Sequence, residues 1–351
     1  MIALPGTPPL TGVTLRLLAA DERATFQPLL DSWLRPGAAI SSSAEAPLLL
    51  GPTAHSERLV AFADGHPVAH AALFHHRVHV HGRVLQAGVI GAVATDPAWR
   101  GHGLAGQLLE ELATTARNSD IDLLVLWATE TGLYERAGFV RAGREWIALW
   151  HDGLPPVQGR VRRAATEDIP ELARLHDAEA VHTERSLADW EQLFTIPAMQ
   201  VFVALTADGS IKAFAACGKG IDLVNCIHEW AGAEDVLPAL ATHALTASGV
   251  PEIYIMGAPH QEAATERLLA HGAAFQHGAL GMLRILKPTS LAERFRLTAV
   301  LEARGSAADN SSRAGEQMLQ RRAELAPEVL HFGDDRRCGL IALHLAGLDS
   351  M

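Results

Sequence analysis

Arg100-Gly101-His102-Gly103-Leu104-Ala105-Gly106 sets three glycines into seven residues, between an apolar run and the start of a helical pattern. The run, residues 89–95, is rich in β-branched and small side chains and is stopped by Asp96-Pro97, after which Leu104, Leu108 and Leu112 recur at helical spacing. A strand that turns tightly into a helix leaves the first N–H groups of that helix without partners. Glycines at the turn keep Cβ atoms out of the way, so such a turn suits an anion. A second group able to do chemistry is Tyr134, one of two tyrosines in the chain, followed at fixed spacing by Gly138-Phe139. A phenol with an ordinary pKa of about 10 stays protonated at neutral pH. A third is a histidine cluster, with His75, His79 and His81 on one face of a period-two stretch and His76 on the other.

The surroundings narrow each pattern. No G-x-G-x-x-G opens a first βαβ unit, and no Lys-Ser/Thr follows the last glycine, so neither a dinucleotide fingerprint nor a P-loop is present. The histidines have no carboxylate or cysteine beside them at ligand spacing; they read as a polar face or pocket wall, and no metal is expected. Cys217, Cys226 and Cys338 are odd in number and far apart, which argues against a disulfide framework and for packed, reduced thiols. A formal net charge of −11 opposes general nucleic-acid binding and favours a cationic partner. With no basic n-region at the start and no apolar run long enough for a bilayer, a cytoplasmic protein without membrane contact is expected.

The elements that must position these groups follow from periodicity. Residues 14–18 read as a strand, Asp21 as an N-cap, and Phe26, Leu29, Leu30 and Trp33 as one face of a helix. Residues 36–52 show no period and read as a mobile loop or broken helix, either a solvated connector or a lid over a binding site. Strands at 59–63 and 67–74 form a hairpin across Asp64-Gly65, and His81-Gly82 turns into the run that precedes the glycine turn. Gly91 within that run and Gly88 just before it mark a bulge or a close backbone approach. Residues 122–128 form an apolar strand, with Trp127 expected in the core. Residues 144–150 then close a first domain, and 151–159 have the Pro and Gly content of a linker. From Arg160 the pattern repeats, with a helix through Leu172 and Leu175 and a hairpin over Asp208-Gly209. The glycine turn does not repeat: Glu234 and Asp235 stand where an anion would need donors. After Pro288, helices are expected over 291–304 and 313–325, before an apolar tail ending in Met351. The expected division is 1–150, a linker at 151–159, 160–287, and 288–351.

The run from Arg100 to Gly106 resembles the Arg/Gln-x-x-Gly-x-Gly/Ala pyrophosphate loop of the GNAT acyl-CoA N-acyltransferases, with glycine in the last place. Tyr134 with Gly138-Phe139 resembles the Tyr-x-x-x-Gly-Phe ending of the same family, in the same order along the chain. The resemblance implies a mixed α/β fold of two tandem GNAT units, the second degenerate, plus a small helical or sterol-carrier-like C-terminal segment. It implies acetyl-CoA as co-substrate. Val93, Ala94 and Thr95 would follow the pantetheine arm; Arg100, Gly101, His102, Gly103, Leu104, Ala105 and Gly106 would hold the pyrophosphate; Thr129 and Glu130 would lie beside the cofactor. Backbone N–H groups near Val93 would stabilise an oxyanion while Tyr134 protonates the CoA sulfur.

The domain order resembles that of the Eis-type acetyltransferases, in which the C-terminal carboxylate serves as base; here it belongs to Met351. An α-carboxylate with a pKa of about 3.5 is a weak base for an ammonium, so it would need burial or a water relay. Glu130 and His102 stand in reserve. The implied acceptor is a primary amine on a small molecule or peptide, and a homo-oligomer is implied by the same resemblance. Two other readings compete. An acyl-CoA-binding sensor would keep the glycine turn without a productive acceptor site, which the intact Tyr134 disfavours. A small-molecule acetyltransferase of the mycothiol-synthase kind would carry its good loop in the second domain rather than the first.

Overall fold

Among residues 12–295, which the computed structural model describes, the period-two stretches pair into two sheets with helices packed on them. The first run of elements is β1 (Val13–Leu17), α1 (Arg23–Leu34), the single-turn helices α2 (Ser42–Glu45) and α3 (Pro47–Leu50), β2 (Glu57–Ala63), β3 (His66–Val80), β4 (Arg83–Thr95), α4 (Leu104–Asn118), β5 (Leu123–Leu126), α5 (Gly132–Arg136) and β6 (Val140–Ala142). The second is β7 (Glu145–His151), β8 (Val161–Arg163), α6 (Ile169–Asp177), β9 (Val181–Thr183), α7 (Leu187–Leu193), β10 (Gln200–Leu205), β11 (Ile211–Cys217), β12 (Cys226–Gly232), α8 (Leu237–Ser248), β13 (Glu252–Gly257), α9 (Glu262–Ala270), β14 (Ala274–Gly278), β15 (Gly281–Ile285) and α10 (Pro288–Arg294).

The first sheet has the order β1-β2-β3-β4-β5-β15-β6, with β9 added to β3; the second runs β14-β7-β13-β12-β11-β10-β8. In each, one pair is parallel, β4 with β5 and β12 with β13. The sheets exchange strands. Residues 144–150, expected to close the first sheet, instead supply β7 to the second, while β15 crosses back to lie between β5 and β6. Alternation explains why the sequence misleads here. Trp146, Ala148 and Trp150 are buried on one face of β7, and period two shows that a strand has a covered face without showing which sheet covers it.

Local chemistry accounts for the connections. Asp64 and Gly65, and again His81 and Gly82, have positive φ at both central positions, the geometry that a two-residue hairpin needs to match strand twist. Glu22, not the expected Asp21, stands at the N-cap of α1, and its side chain closes the turn before the helix rather than bonding to the helix itself. Its carboxylate accepts from Ala19 N at 2.9 Å and pairs with Arg16 at 2.7 Å. The second run repeats the device with Asp168, which accepts from Ala165 N at 2.8 Å and pairs with Arg162 at 2.6 Å.

Residues 36–52 are not a solvated connector. The Asp31 carboxylate accepts from Ser41 Oγ at 2.7 Å and from Ser42 Oγ at 2.6 Å, which draws α2 onto α1. Leu49 and Leu50 then pack with Phe26, Leu30 and Trp33, while Leu48 enters the core around Ile169, Leu172 and Trp190. Two single-turn helices are too short to show a period, so burial here left no sequence signal.

At the far end, α10 is anchored to the first sheet. Asp122, fully buried, accepts from Gln86 N at 2.9 Å and from the Arg294 guanidinium, while Leu291 and Phe295 pack with Val78, Leu85 and Val125. Cys338, the expected helix at 313–325, the tail and Met351 lie outside the described residues, as does the end of the helix expected over 291–304. Cys217 and Cys226 are buried free thiols.

In the second sheet the space beyond the parallel pair is filled. β12 and β13 are in register only at Cys226/Tyr254 and Ile227/Ile255. Past them, Trp230 Nε1 donates to Met256 O at 2.9 Å and Trp146 Nε1 to Ala258 O at 2.8 Å, with the two indoles 6.4 Å apart. Replacing Trp146 by Ala removes a fully buried indole and orphans a carbonyl. The expected loss is about 3–5 kcal/mol of unfolding free energy, read as a lower urea midpoint at unchanged m-value.

Candidate active site

In the first sheet the corresponding space is open. β4 and β5 are in register from Ala87/Leu123 to Val89/Val125, after which β5 ends at Leu126 while β4 continues to Thr95. The gap leads into a cavity of about 250 Å³ whose wall includes Ala92, Val93, Trp127, Tyr134, Arg35 and Asp222.

The cavity floor is a bulge in β4. Gly91 is in register with Ala72 and Ala94 with His70, so Ala92 and Val93 together face the single residue Ala71. Ala92 sits at φ +51°, a left-handed conformation that costs a non-glycine residue about 1–2 kcal/mol. The expected irregularity around Gly91 is therefore present one residue on. At Gly88 it is side chains rather than the expected backbone that come close: a Cβ there would meet Leu124 Cδ2 at 2.7 Å and Leu73 Cδ1 at 2.8 Å.

Tyr134 reaches the cavity from α5, and its motif spacing is that of a helix ending. Gly138, at φ +80°, follows the last turn; Phe139 N donates to Tyr134 O at 2.9 Å and Gly138 N to Glu135 O at 3.0 Å. In this Schellman arrangement the residue after the glycine contacts the one five positions earlier, and the Phe139 and Tyr134 rings meet edge-on at 6.3 Å. Phe139 is buried in the core. The anchored phenylalanine thus fixes the tyrosine at the mouth of the gap. Burial pushes the Tyr134 phenol above its usual pKa, so it is held as an acid.

The glycine turn takes the expected form. Gly101 and Gly103 have φ of +80° and +77°, and Gly103 is the N-cap of α4. No side chain caps this helix, and the Gly103 carbonyl accepts from Gln107 N at 3.1 Å. The N–H groups of Leu104, Ala105 and Gly106 precede that bond and have no carbonyl of their own helix to meet. Leu104 and Gly106 are buried, so their side of the turn packs while their backbone serves. Arg100 and His102 are exposed; Arg100 Nε donates to Thr95 O at 3.3 Å.

Other expectations divide. Val93 is in the cavity wall, Ala94 is buried beside it and Thr95 ends the strand. Thr129 and Glu130 are exposed after β5 and are not part of the cavity wall. Trp127, expected in the core, packs half-buried against the core around Val125 and Leu283 and also faces the cavity, because β5 stops one residue before it. His79 stacks on His182 at 4.6 Å and lies 3.3 Å from Glu184, so it belongs to a polar face rather than to the pocket.

Sequence reasoning missed the polar rim, where the Arg35 guanidinium pairs with the carboxylates of Glu45 and Asp222. Its members come from three distant segments, and no local spacing links them. Among the described residues, no group of three or more His, Cys, Asp or Glu is placed to hold a metal ion, and no helix is long and apolar enough to cross a membrane.

The parted parallel pair, the bulge and the uncapped helix start all lie in one stretch of the first sheet, and comparison with known proteins places a family match there. Residues 42–142 match the acetyltransferase (GNAT) domain family. The match covers less than a third of the chain, and shows a GNAT-type domain over those residues. Among solved structures, a probable N-acyltransferase of Enterococcus faecalis is similar at 16% identity and a TM-score of 0.61, over 81% of this chain and 75% of that one. A GCN5-related N-acetyltransferase of Anabaena variabilis is similar at 16% identity and 0.61, over 78% and 73%. Eis1 of Mycobacterium abscessus follows at 15% identity and 0.55, over 80% and 75%. At these identities the likeness is one of fold. No curated protein matches the chain in sequence.

Proposed function

We propose that the chain transfers an acetyl group from acetyl-CoA to a primary amine, using the first sheet, and that the second is a degenerate GNAT unit. The observation that carries this reading is the meeting of bulge, parted strands and Tyr134 in one cavity. The residues fit a CoA thioester. Gly101 and Gly103 leave the backbone open to a pyrophosphate, the gap beyond Val89 and Val125 suits an extended pantetheine arm, and the free edge of β4 can pair with it as an added strand would.

The amine attacks the thioester carbonyl carbon, the C–N bond forms, and the C–S bond breaks with its electron pair leaving on sulfur. Tyr134 gives that sulfur its proton, and a base takes one from nitrogen. The terminal carboxylate of Met351 is our candidate for that base. Neither Thr129 nor Glu130 is in the cavity wall, which leaves Glu130 without the placement a base needs. The second sheet supports the degenerate reading. The Trp230 indole on β12 bridges to Met256 O on β13 past their paired residues, Pro238 at the start of α8 removes a donor, and Glu234 accepts from Ala264 N at 2.6 Å. The division into units at residues 150–160 is likewise our reading, with β7 and β15 lent across it.

The test is CoA release, followed by thiol detection, with acetyl-CoA and a panel of amines, for the full chain and for one lacking Ser350-Met351. Amine-dependent turnover that falls in the shortened chain at unchanged acetyl-CoA affinity supports both assignments. Tight acetyl-CoA binding with no amine-dependent release would instead mark a sensor.

A further inference from the structure

We infer that His70 is a positioning residue, which sets the peptide between Ala92 and Val93 so that the Val93 N–H faces the acyl carbonyl of the bound thioester. The inference rests on the acyl-CoA reading of the cavity. His70 lies on β3, is fully buried, and is not part of the cavity wall, so it does not touch the reacting atoms. Its Nδ1 is 2.8 Å from the Ala92 carbonyl oxygen. That oxygen can only accept, so the ring is the tautomer with its proton on Nδ1. Nε2 is buried without a partner, and the Phe26 ring stands 5.5 Å away. Burial, only partly offset by the bond to Ala92, holds the imidazole pKa down to about 4, which keeps the ring neutral at neutral pH.

The stereochemistry supplies the rest. There are no cis peptide bonds among the described residues, and in a planar trans peptide the N–H points opposite to the preceding C=O. An Ala92 carbonyl turned to His70 therefore turns the Val93 N–H away from it. Ala92 and Val93 lie between the register pairs Gly91/Ala72 and Ala94/His70, at a widened point of the ladder where both residues face the cavity. The positive φ of Ala92 is the strained conformation that this carbonyl direction requires, and the His70 bond is what offsets it. A donor fixed in this way before the substrate arrives is what oxyanion stabilisation needs.

The test compares the affinity of the full chain for acetyl-CoA with that for its thioether analogue S-ethyl-CoA, which lacks the carbonyl, by calorimetry. Wild type should prefer acetyl-CoA by about five- to tenfold, the worth of one ordinary hydrogen bond. His70→Asn should keep that preference, because its Nδ2 is as many bonds from Cα as His Nδ1. His70→Gln, an amide of the same polarity with its donor one bond further out, should lose the preference while holding S-ethyl-CoA as well as wild type. With whichever amine turns over, His70→Gln should lower kcat by about 10- to 100-fold, with KM for acetyl-CoA raised by no more than the about five- to tenfold lost in affinity. A merely structural histidine would lower the melting temperature in both variants and leave the ratio of affinities alone. A preference retained in His70→Gln, or absent from wild type that binds both ligands, overturns the inference and spares the cofactor reading. Failure of wild type to bind either ligand overturns both.

Discussion

Tyr134→Phe should lower kcat for amine-dependent CoA release by about 10²–10³-fold while leaving acetyl-CoA affinity within a factor of about two. Phenylalanine keeps the ring that packs edge-on against Phe139, and the α5 ending is made by backbone bonds from Gly138 and Phe139, so the variant removes a hydroxyl and little else. A CoA thiolate expelled without a proton donor is the poorer leaving group, and the loss appears in the chemical step rather than in binding. The pH profile gives a second check with a definite sign. Burial raises the phenol above its ordinary value of about 10, so the acid form is complete throughout the neutral range and is lost only as pH rises beyond that value. Activity therefore should not fall between about pH 7 and 9 on account of Tyr134. An alkaline limb in that window belongs to another group and should survive in Tyr134→Phe.

What was legible in the sequence follows a physical division. The glycine turn and the Tyr134 motif are local devices, a helix start without a side-chain cap and a helix end closed through Gly138, and each is written in a few adjacent residues. They were readable because backbone conformation dictates residue type at such points. The ion pairs beside the cavity were not. Arg35, Glu45 and Asp222 meet only once the loop after β11 is laid against α1 and α2. His70 reads as one more residue of an alternating strand, and its pairing with Ala92 depends on a bulge whose position a glycine two residues from Val93 only approximates. Trp127 was read as core alone, and its second role in the cavity wall went unseen because apolarity continues past the point at which β5 stops pairing. The exchange of β7 and β15 is the extreme case: both strands alternate as they should, and only packing decides which sheet receives them.

Gly103→Asp should abolish acetyl-CoA binding, with Kd raised about 10²-fold or more, while the melting temperature holds or rises. The two effects separate because one substitution acts oppositely on fold and ligand. Gly103 is the N-cap of α4 at φ +77°, a region that Asp tolerates better than most residues, and a carboxylate at an N-cap can accept from the free N–H groups of the first turn and meet the positive end of the helix dipole. Those are the same donors that a pyrophosphate would use. Filling them with a resident anion costs the ligand its hydrogen bonds and sets like charges within about 4–6 Å, worth about 1.5–4 kcal/mol for each phosphate at an effective dielectric constant of about 20–40. Gly103→Ala isolates the backbone part, since it strains the same φ without adding charge, and should weaken binding by no more than about tenfold at a lowered melting temperature. Raising the salt from about 0.1 to 0.5 M should recover part of the affinity lost to Gly103→Asp and none of that lost to Gly103→Ala, because screening acts only on the charge. A Gly103→Asp protein that still bound acetyl-CoA as wild type does would place the pyrophosphate away from the start of α4, and with it the thioester away from the gap that Val93 and Tyr134 line.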